Sequence, residues 1–387
     1  MDRRSFLRSS SLIAGGLALN SVLNQASAKT ATLAAPSIQH PLLLNFNENS
    51  LGMSPSAQKA VIDALPGAFR YPDAARSELI NNVGTLHGLE GKNVTLGNGS
   101  SETIQAAVAM LANKARKQNI KIQLVTPDPT FNYAELYALP LGVEITKVPL
   151  KSDLSFDLVK MEQLANSFDG LSIIYICNPN NPTAMITPHS HLDSWMKKES
   201  DKQFFIVDEA YAEFVQDPQF ISAIELVKAG QKNLIVTRTF SKIYALAGLR
   251  VGYGIAAPDV IASVDEFISI DNTNTAGAAA AIASLKDHKF LEYSLQSNNL
   301  SRKIVETALN ELGLEYAPSQ ANFIFHKVKG DVKAYKQHMQ DANIMVGREF
   351  PPVVGWNRLT LGNATRNGTI RSRAERISPK RLGVEST

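Results

Sequence analysis

The sequence predicts an α/β protein with a large domain, whose mostly parallel central sheet is flanked by helices, and a smaller α/β domain after it. Three observations predict this. From about Gly97 onward, continuous apolar runs of four to six residues alternate with helical stretches, the pattern of a parallel sheet buried on both faces. Several of these runs end in polar clusters, where open α/β sheets place their ligands. After about Ala283 the pattern changes to long helical segments with isolated short runs. The 387 residues, 44% hydrophobic and 19% charged, suffice for a large core and two domains. The net charge of +3, with no dense basic stretch before the last twenty residues, excludes a nucleic-acid footprint.

Residues 1–28 read as a twin-arginine signal peptide. Asp2-Arg3-Arg4-Ser5-Phe6-Leu7-Arg8 precedes a weakly apolar run, Leu12 to Leu23, and the small-x-small site Ala26-Ser27-Ala28. The run is too short and too rich in Gly, Ser and Asn to span a membrane, which takes about 20 apolar residues. The expected destination is the periplasm. Cleavage after Ala28 removes three arginines and one aspartate, leaving a mature chain near +1. Residues 29–70 read as a leader and the N-terminal part of the small domain, 71–283 as the large domain, 284–363 as the small C-terminal domain and 364–387 as a basic tail.

Along the large domain, Val94-Thr95-Leu96 reads as a strand and Ser101 to Asn113 as an Ala-rich helix. Ile122 to Val125, Ile173 to Ile176, Phe204 to Val207, Leu234 to Val236 and Val251 to Ile255 are the further strands. In the small domain, Asn322 to Phe325, Ile344 to Val346 and Leu359 to Leu361 are strand-like. The lone Cys177 sits in an apolar run, so no internal disulfide exists and the thiol reads as buried and inert.

Four strand-end clusters carry chemistry. Gly97-Asn98-Gly99-Ser100-Ser101-Glu102 opens a helix with free backbone N–H groups, either a phosphate site or an ordinary turn. The third glycine of a dinucleotide fingerprint is missing, as is an acid after Val125. Cys177-Asn178-Pro179-Asn180-Asn181-Pro182-Thr183 is a proline-set turn, or a turn holding an amide over a ligand. Asp208, in Asp208-Glu209-Ala210-Tyr211, ends a buried strand, where a carboxylate is costly unless it caps a helix or holds a cation. Thr239-Phe240-Ser241-Lys242 places a lysine among hydroxyls, eight residues before Arg250 in Leu246-Ala247-Gly248-Leu249-Arg250-Val251-Gly252-Tyr253. A lysine amine attacks an aldehyde only when deprotonated, so partial desolvation near other cations suits it.

In this order, with Asn45-Phe46-Asn47-Glu48-Asn49-Ser50-Leu51-Gly52 and Arg70-Tyr71-Pro72-Asp73 before them, these blocks resemble fold-type-I pyridoxal 5'-phosphate enzymes. The resemblance is to the aminotransferase class I/II superfamily, nearest its histidinol-phosphate aminotransferase-like members, over about Leu44 to Asn363. It implies that 71–283 is the cofactor-binding domain and that Lys242 is the Schiff-base lysine and proton shuttle. It implies that Asp208 pairs with the pyridine nitrogen, that Tyr211 and Asn181 bond the ring hydroxyl and that Phe131 stacks on the ring. Ser100, Ser101, Thr239, Ser241 and Arg250 would hold the phosphate. Tyr71 would reach it from a second subunit, implying a homodimer with shared sites. Arg358, in Arg358-Leu359-Thr360-Leu361-Gly362, resembles the arginine that grips a substrate anion, with Arg348 a second candidate.

The chain departs from the family at Ser101, where an acid is usual, at Ala184, where glycine is usual, at Phe131, where tyrosine is more common, and in a tail without apolar periodicity. His189 and His191 follow Thr187-Pro188 at a helix start. Positions two apart on a helix do not share a face, so no metal is expected. Amino transfer from an amino acid or histidinol-phosphate-like amine to a 2-oxo acid is the expected activity. Decarboxylation or lyase chemistry on the same fold, solute binding in the periplasm and dinucleotide dehydrogenation are the competing readings. Export argues against a routine part in cytoplasmic histidine synthesis.

Overall fold

The computed structural model describes residues 36–198 and 200–363. Residues 1–28, expected to be a signal peptide, the first part of the expected leader and the basic tail 364–387 lie outside the described residues. Among the described residues, those from Ser37 to Asn363 belong to one compact unit. The boundary expected between residues 283 and 284 falls within the helix Thr275–Lys286.

The central sheet has seven strands: β2 (Val94–Asn98), β3 (Lys121–Asp128), β4 (Glu144–Pro149), β5 (Gly170–Cys177), β6 (Gln203–Asp208), β7 (Leu234–Thr239) and β8 (Val251–Ala256). They lie in the order β2-β8-β7-β6-β5-β3-β4. The pairs β4·β3, β3·β5, β5·β6 and β6·β7 are parallel, while β8 runs antiparallel to β2 and β7. Every residue of β5, β7 and β8 is buried. One face packs Ile174, Ile176, Phe205, Val207 and Val236 against Trp195, Phe214 and Phe240. The other packs Ile173, Tyr175, Ile206 and Ile235 against Ile104, Val108 and Leu111 of the helix Ser100–Gln118. Each such side chain contributes about 1.5–3 kcal/mol on burial, which is why the runs are continuous rather than alternating.

Two smaller sheets complete the described fold. β1 (Leu42–Leu44) pairs in parallel with β10 (Ile344–Val346), joining the segment before Arg70 to the C-terminal part. β9 (Phe323–Lys327) pairs antiparallel with β11 (Trp356–Thr360).

The structure adds β1 and β4 to the strands expected from sequence. β4 is an edge strand whose pattern mixes exposed and half-buried residues, so no apolar run marks it. β11 begins before the Leu359 run because Asn357 is fully buried, its side-chain amide donating to the Gly347 carbonyl at 2.8 Å. The helix that opens at Ser100 continues past Asn113 to Gln118. Asn119 then stops it at φ 54°, with its N–H on the Ala115 carbonyl.

This topology collects the chemistry at one edge. The carboxyl ends of β2, β5, β6 and β7 deliver Ser100, Asn181, Asp208 and Ser241. Because β8 is antiparallel, its start pairs with their ends, Val251 opposite Asn98 and Gly252 opposite Thr239. Arg250, one residue earlier, therefore lands at the same edge.

Candidate active site

A cavity of about 270 Å³ opens at that edge. Among its lining residues are Ser100, Ser101, Phe131, Asn181, Asp208, Tyr211, Thr239, Ser241, Lys242, Arg250 and Arg358. Tyr71 and Arg348 are not among them. Tyr71 is 78% exposed. Arg348 lines a neighbouring pocket of about 170 Å³ with Asp128, Glu135 and Lys147, its guanidinium 4.1 Å from the Phe350 ring centre. Phe350 in turn lies 5.2 Å from the Arg358 guanidinium.

At the β2 and β7 ends the donors form an anion site. Arg250 donates through Nη2 to Ser101 Oγ and the Asn98 carbonyl, both at 3.2 Å, and through Nη1 to Ser241 Oγ at 3.4 Å. Thr239 Oγ1 and Ser241 Oγ lie 2.9 Å apart. No carboxylate among the described residues forms an ion pair with Arg250, so its charge is available to a ligand anion, beside the N-terminus of the helix Ser100–Gln118. Gly99 suits this approach: at φ 74° it holds a backbone conformation that other residues adopt with strain, and a Cβ there would stand 2.3 Å from Arg250 Nη2 and push the guanidinium aside.

Lys242 donates from Nζ to the backbone carbonyls of Phe46 and Asn47 at 3.3 and 3.2 Å. Burial, and then the nearby positive charge of Arg358, bring its amine down to about 8 from the usual 10.5. Such an amine is available as a nucleophile near neutral pH.

Asp208 is fully buried, and burial pushes its carboxyl up to about 6. Opposing that, Tyr175 donates its hydroxyl to Oδ2 at 2.9 Å, while the Ala210 N–H and the Thr237 hydroxyl approach Oδ1 at 3.2 and 3.4 Å. A buried carboxylate held this way invites a cation. Tyr211 accepts from the Asn47 side-chain amide at 3.1 Å, and burial pushes its phenol up.

Arg358 donates from Nη1 to Asn181 Oδ1 at 2.7 Å and from Nη2 to the Asn45 carbonyl at 2.5 Å. Its buried Nε has no hydrogen-bond partner. Neutral partners and an unsatisfied donor leave this guanidinium ready for a substrate anion.

Sequence reasoning missed Phe46, Asn47 and Tyr133 as cavity residues. Phe46 and Asn47 belong to the Asn45–Gly52 block, but nothing local in that block shows that it folds back over Lys242. Tyr133 stacks on Phe131 with ring centres 4.3 Å apart. Cys177 borders the cavity, yet is buried with its thiol on the Pro179 carbonyl at 3.3 Å and pushed up by burial, as expected of an inert thiol. His189 lies 3.7 Å from the Asp193 carboxylate one turn along its helix. Ala184 holds φ 60° at full burial, so the turn keeps its left-handed residue without glycine.

These residues fit pyridoxal 5'-phosphate. The Arg250–hydroxyl cluster matches a phosphate, the buried Asp208 a protonated ring nitrogen, and the depressed Lys242 amine an aldehyde.

The comparisons with known proteins agree. The sequence profile of the aminotransferase class I and II family matches residues 39–377. The chain is 32% identical to a histidinol-phosphate aminotransferase of Moorella thermoacetica over 334 residues, 86% of this chain and 84% of that protein. The crystal structure of a candidate histidinol-phosphate aminotransferase from Erwinia carotovora atroseptica superposes with a TM-score of 0.87 at 40% identity, covering 90% of this chain and 99% of the other. A Sinorhizobium meliloti histidinol-phosphate aminotransferase solved with pyridoxal-5'-phosphate shares the fold, with a TM-score of 0.78 at 22% identity over 88% and 91% of the two chains. A lysine among phosphate-holding hydroxyls, a buried strand-end aspartate and a match over most of the chain converge on one assignment: this chain belongs to the aminotransferase class I and II family.

Proposed function

We propose that the chain is a pyridoxal 5'-phosphate-dependent aminotransferase moving an amino group from an amino acid or histidinol-phosphate-like amine to a 2-oxo acid. One observation carries the reading: a single cavity brings the depressed Lys242 amine, the Arg250–Ser101–Ser241 anion site, the buried Asp208 and Arg358 together. The cofactor, pyridoxal 5'-phosphate, supplies an aldehyde that takes up amino groups and a ring that draws electrons from the donor's α-carbon.

The chain's own residues do the rest. Arg250, Ser100, Ser101, Thr239 and Ser241 hold the phosphate. Lys242, with its depressed amine, would hold the cofactor at its aldehyde and would serve as the base that moves the proton on the donor's α-carbon. Asp208 would keep the ring nitrogen protonated, Tyr211 and Asn181 would bond the ring hydroxyl, and Phe131 would cover a ring face. Arg358 orients the donor through its carboxylate or phosphate, and Arg348 reaches a longer donor's distal end.

The test is a panel of amino donors with and without 2-oxo acids on the purified protein, which should be yellow. Amino transfer that requires the oxo acid supports the reading. Carbon dioxide release without one makes the protein a decarboxylase, and a colourless protein inert to both sinks the assignment.

The active assembly in this reading is a homodimer in which Tyr71 reaches the phosphate bound by the other subunit. The exposure of Tyr71 and Phe69, 78% and 79%, supports it. A monomer by light scattering at working concentration would exclude it. The reading also places the mature enzyme in the periplasm, delivered folded by the twin-arginine route. No helix among the described residues is long and apolar enough to cross a membrane. Arg3→Lys with Arg4→Lys should strand the protein in the cytoplasm, and continued export would refute the route.

A further inference from the structure

We infer that Tyr175 is a positioning residue for the cofactor: its buried hydroxyl, one strand away on β5, fixes and keeps ionised the Asp208 carboxylate that faces the ring nitrogen. The inference rests on the proposed pairing of Asp208 with that nitrogen.

The geometry follows from the sheet. β5 and β6 run in parallel with Tyr175 opposite Ile206 and Cys177 opposite Asp208. Alternate residues share a face, so Tyr175, Cys177, Ile206 and Asp208 all point toward the helix Ser100–Gln118. Tyr175 sits two residues below the cavity edge, and its hydroxyl reaches diagonally across to Asp208 Oδ2 at 2.9 Å. The phenol and the carboxylate are both buried, at 0% and 1% exposure. Cys177 lines the cavity whereas Tyr175 does not, so the phenol lies behind the carboxylate and leaves its front open to a ligand.

A phenol at this place is an unusual expense. The neighbouring positions of β5 are Ile173, Ile174 and Ile176, and a phenylalanine would fill the same volume without a polar group. The hydroxyl is satisfied by Asp208, to which it donates at 2.9 Å. Of the three donors to the carboxylate, Tyr175 is the shortest, and it alone engages Oδ2. Two consequences follow. The carboxylate is held in one rotamer, with Oδ1 on the Ala210 N–H and Thr237 and Oδ2 on Tyr175. The charged form is also favoured over the neutral one, because burial without donors drives a carboxyl toward protonation. When Asp208 and the ring nitrogen share one proton, a donor to Asp208 pushes that proton onto the nitrogen. Tyr175 thus acts on the ring through Asp208, without touching it.

The experiment compares wild type, Tyr175→Phe and Asp208→Asn as purified holoenzymes loaded with pyridoxal phosphate labelled with ¹⁵N in the ring. Tyr175→Phe removes one oxygen atom and should fold normally. Its ring-nitrogen resonance should move from the protonated position toward the unprotonated one. Its kcat should fall roughly ten- to a hundredfold, the range set by one hydrogen bond to a charged group, with KM for the amino donor little changed. A cofactor analogue methylated on the ring nitrogen carries a fixed positive charge and should restore most of the lost kcat in Tyr175→Phe. A wild-type nitrogen signal with wild-type kcat in Tyr175→Phe overturns the inference. So does a loss of activity that the methylated analogue does not repair, since that marks a purely packing role. If Asp208→Asn also leaves the nitrogen unmoved, the pairing of Asp208 with the ring is wrong. If only Asp208→Asn moves it, the pairing stands and the role of Tyr175 falls.

Discussion

The depressed Lys242 amine predicts a pH profile for cofactor capture. A group titrating at about 8 is roughly one quarter neutral at pH 7.5, whereas one at the ordinary 10.5 is about one part in a thousand neutral. The cofactor-free enzyme should therefore capture pyridoxal 5'-phosphate on Lys242 some hundreds of times faster than an exposed lysine at that pH. Between about pH 6 and pH 10, the capture rate should rise and level off above about pH 8. Burial is the main cause and the positive charge of Arg358 the second, so Arg358→Ala should move the midpoint upward without abolishing capture. The assay follows the yellow absorbance of the captured cofactor against pH. Borohydride reduction and peptide mapping then identify the lysine. A midpoint near 10.5 in the wild type, an unmoved midpoint in Arg358→Ala, or labelling of another lysine would refute the argument.

Three further outcomes follow from the same geometry. Arg358→Ala should raise KM for amino donors roughly ten- to a hundredfold, the value of a charge-assisted contact, while leaving cofactor affinity intact; an unchanged KM across a donor panel removes Arg358 from the site. Arg238 is buried and bonded to Glu209 at 2.6 Å and Glu213 at 3.0 Å, so Arg238→Met should cost about 3–5 kcal/mol in urea unfolding by stranding two carboxylates. Burial already holds the Glu213 carboxyl above its usual range; the variant's deficit should therefore grow as pH rises through that raised value and shrink toward acid, and a deficit independent of pH contradicts this. Gly99→Ala at φ 74° should displace the Arg250 guanidinium and weaken binding of pyridoxal 5'-phosphate measured by equilibrium titration, with an unaltered dissociation constant counting against the anion site.

The sequence by itself determined the fold class, because buried parallel strands must be apolar on both faces. The runs Ile173 to Ile176, Phe204 to Val207 and Leu234 to Val236 announce that requirement directly. It also marked the candidate site wherever chemistry forces an unusual residue into a strand end, as with Asp208 after a buried run and Lys242 among hydroxyls. β4 and β1 were not legible, since an edge strand and a three-residue strand need no continuous apolar run. Tertiary structure alone decided which distant residues complete the site. Asn45, Phe46 and Asn47 reach Lys242, Tyr211 and Arg358 across some 160 to 310 positions of sequence, and no local pattern encodes such a contact. Tyr175 makes the same point: within its strand it reads as one more apolar position, and only the register of β5 on β6 turns its hydroxyl into a donor to Asp208. Periodicity is a local property of the chain, while a hydrogen bond between strands depends on register, which packing sets.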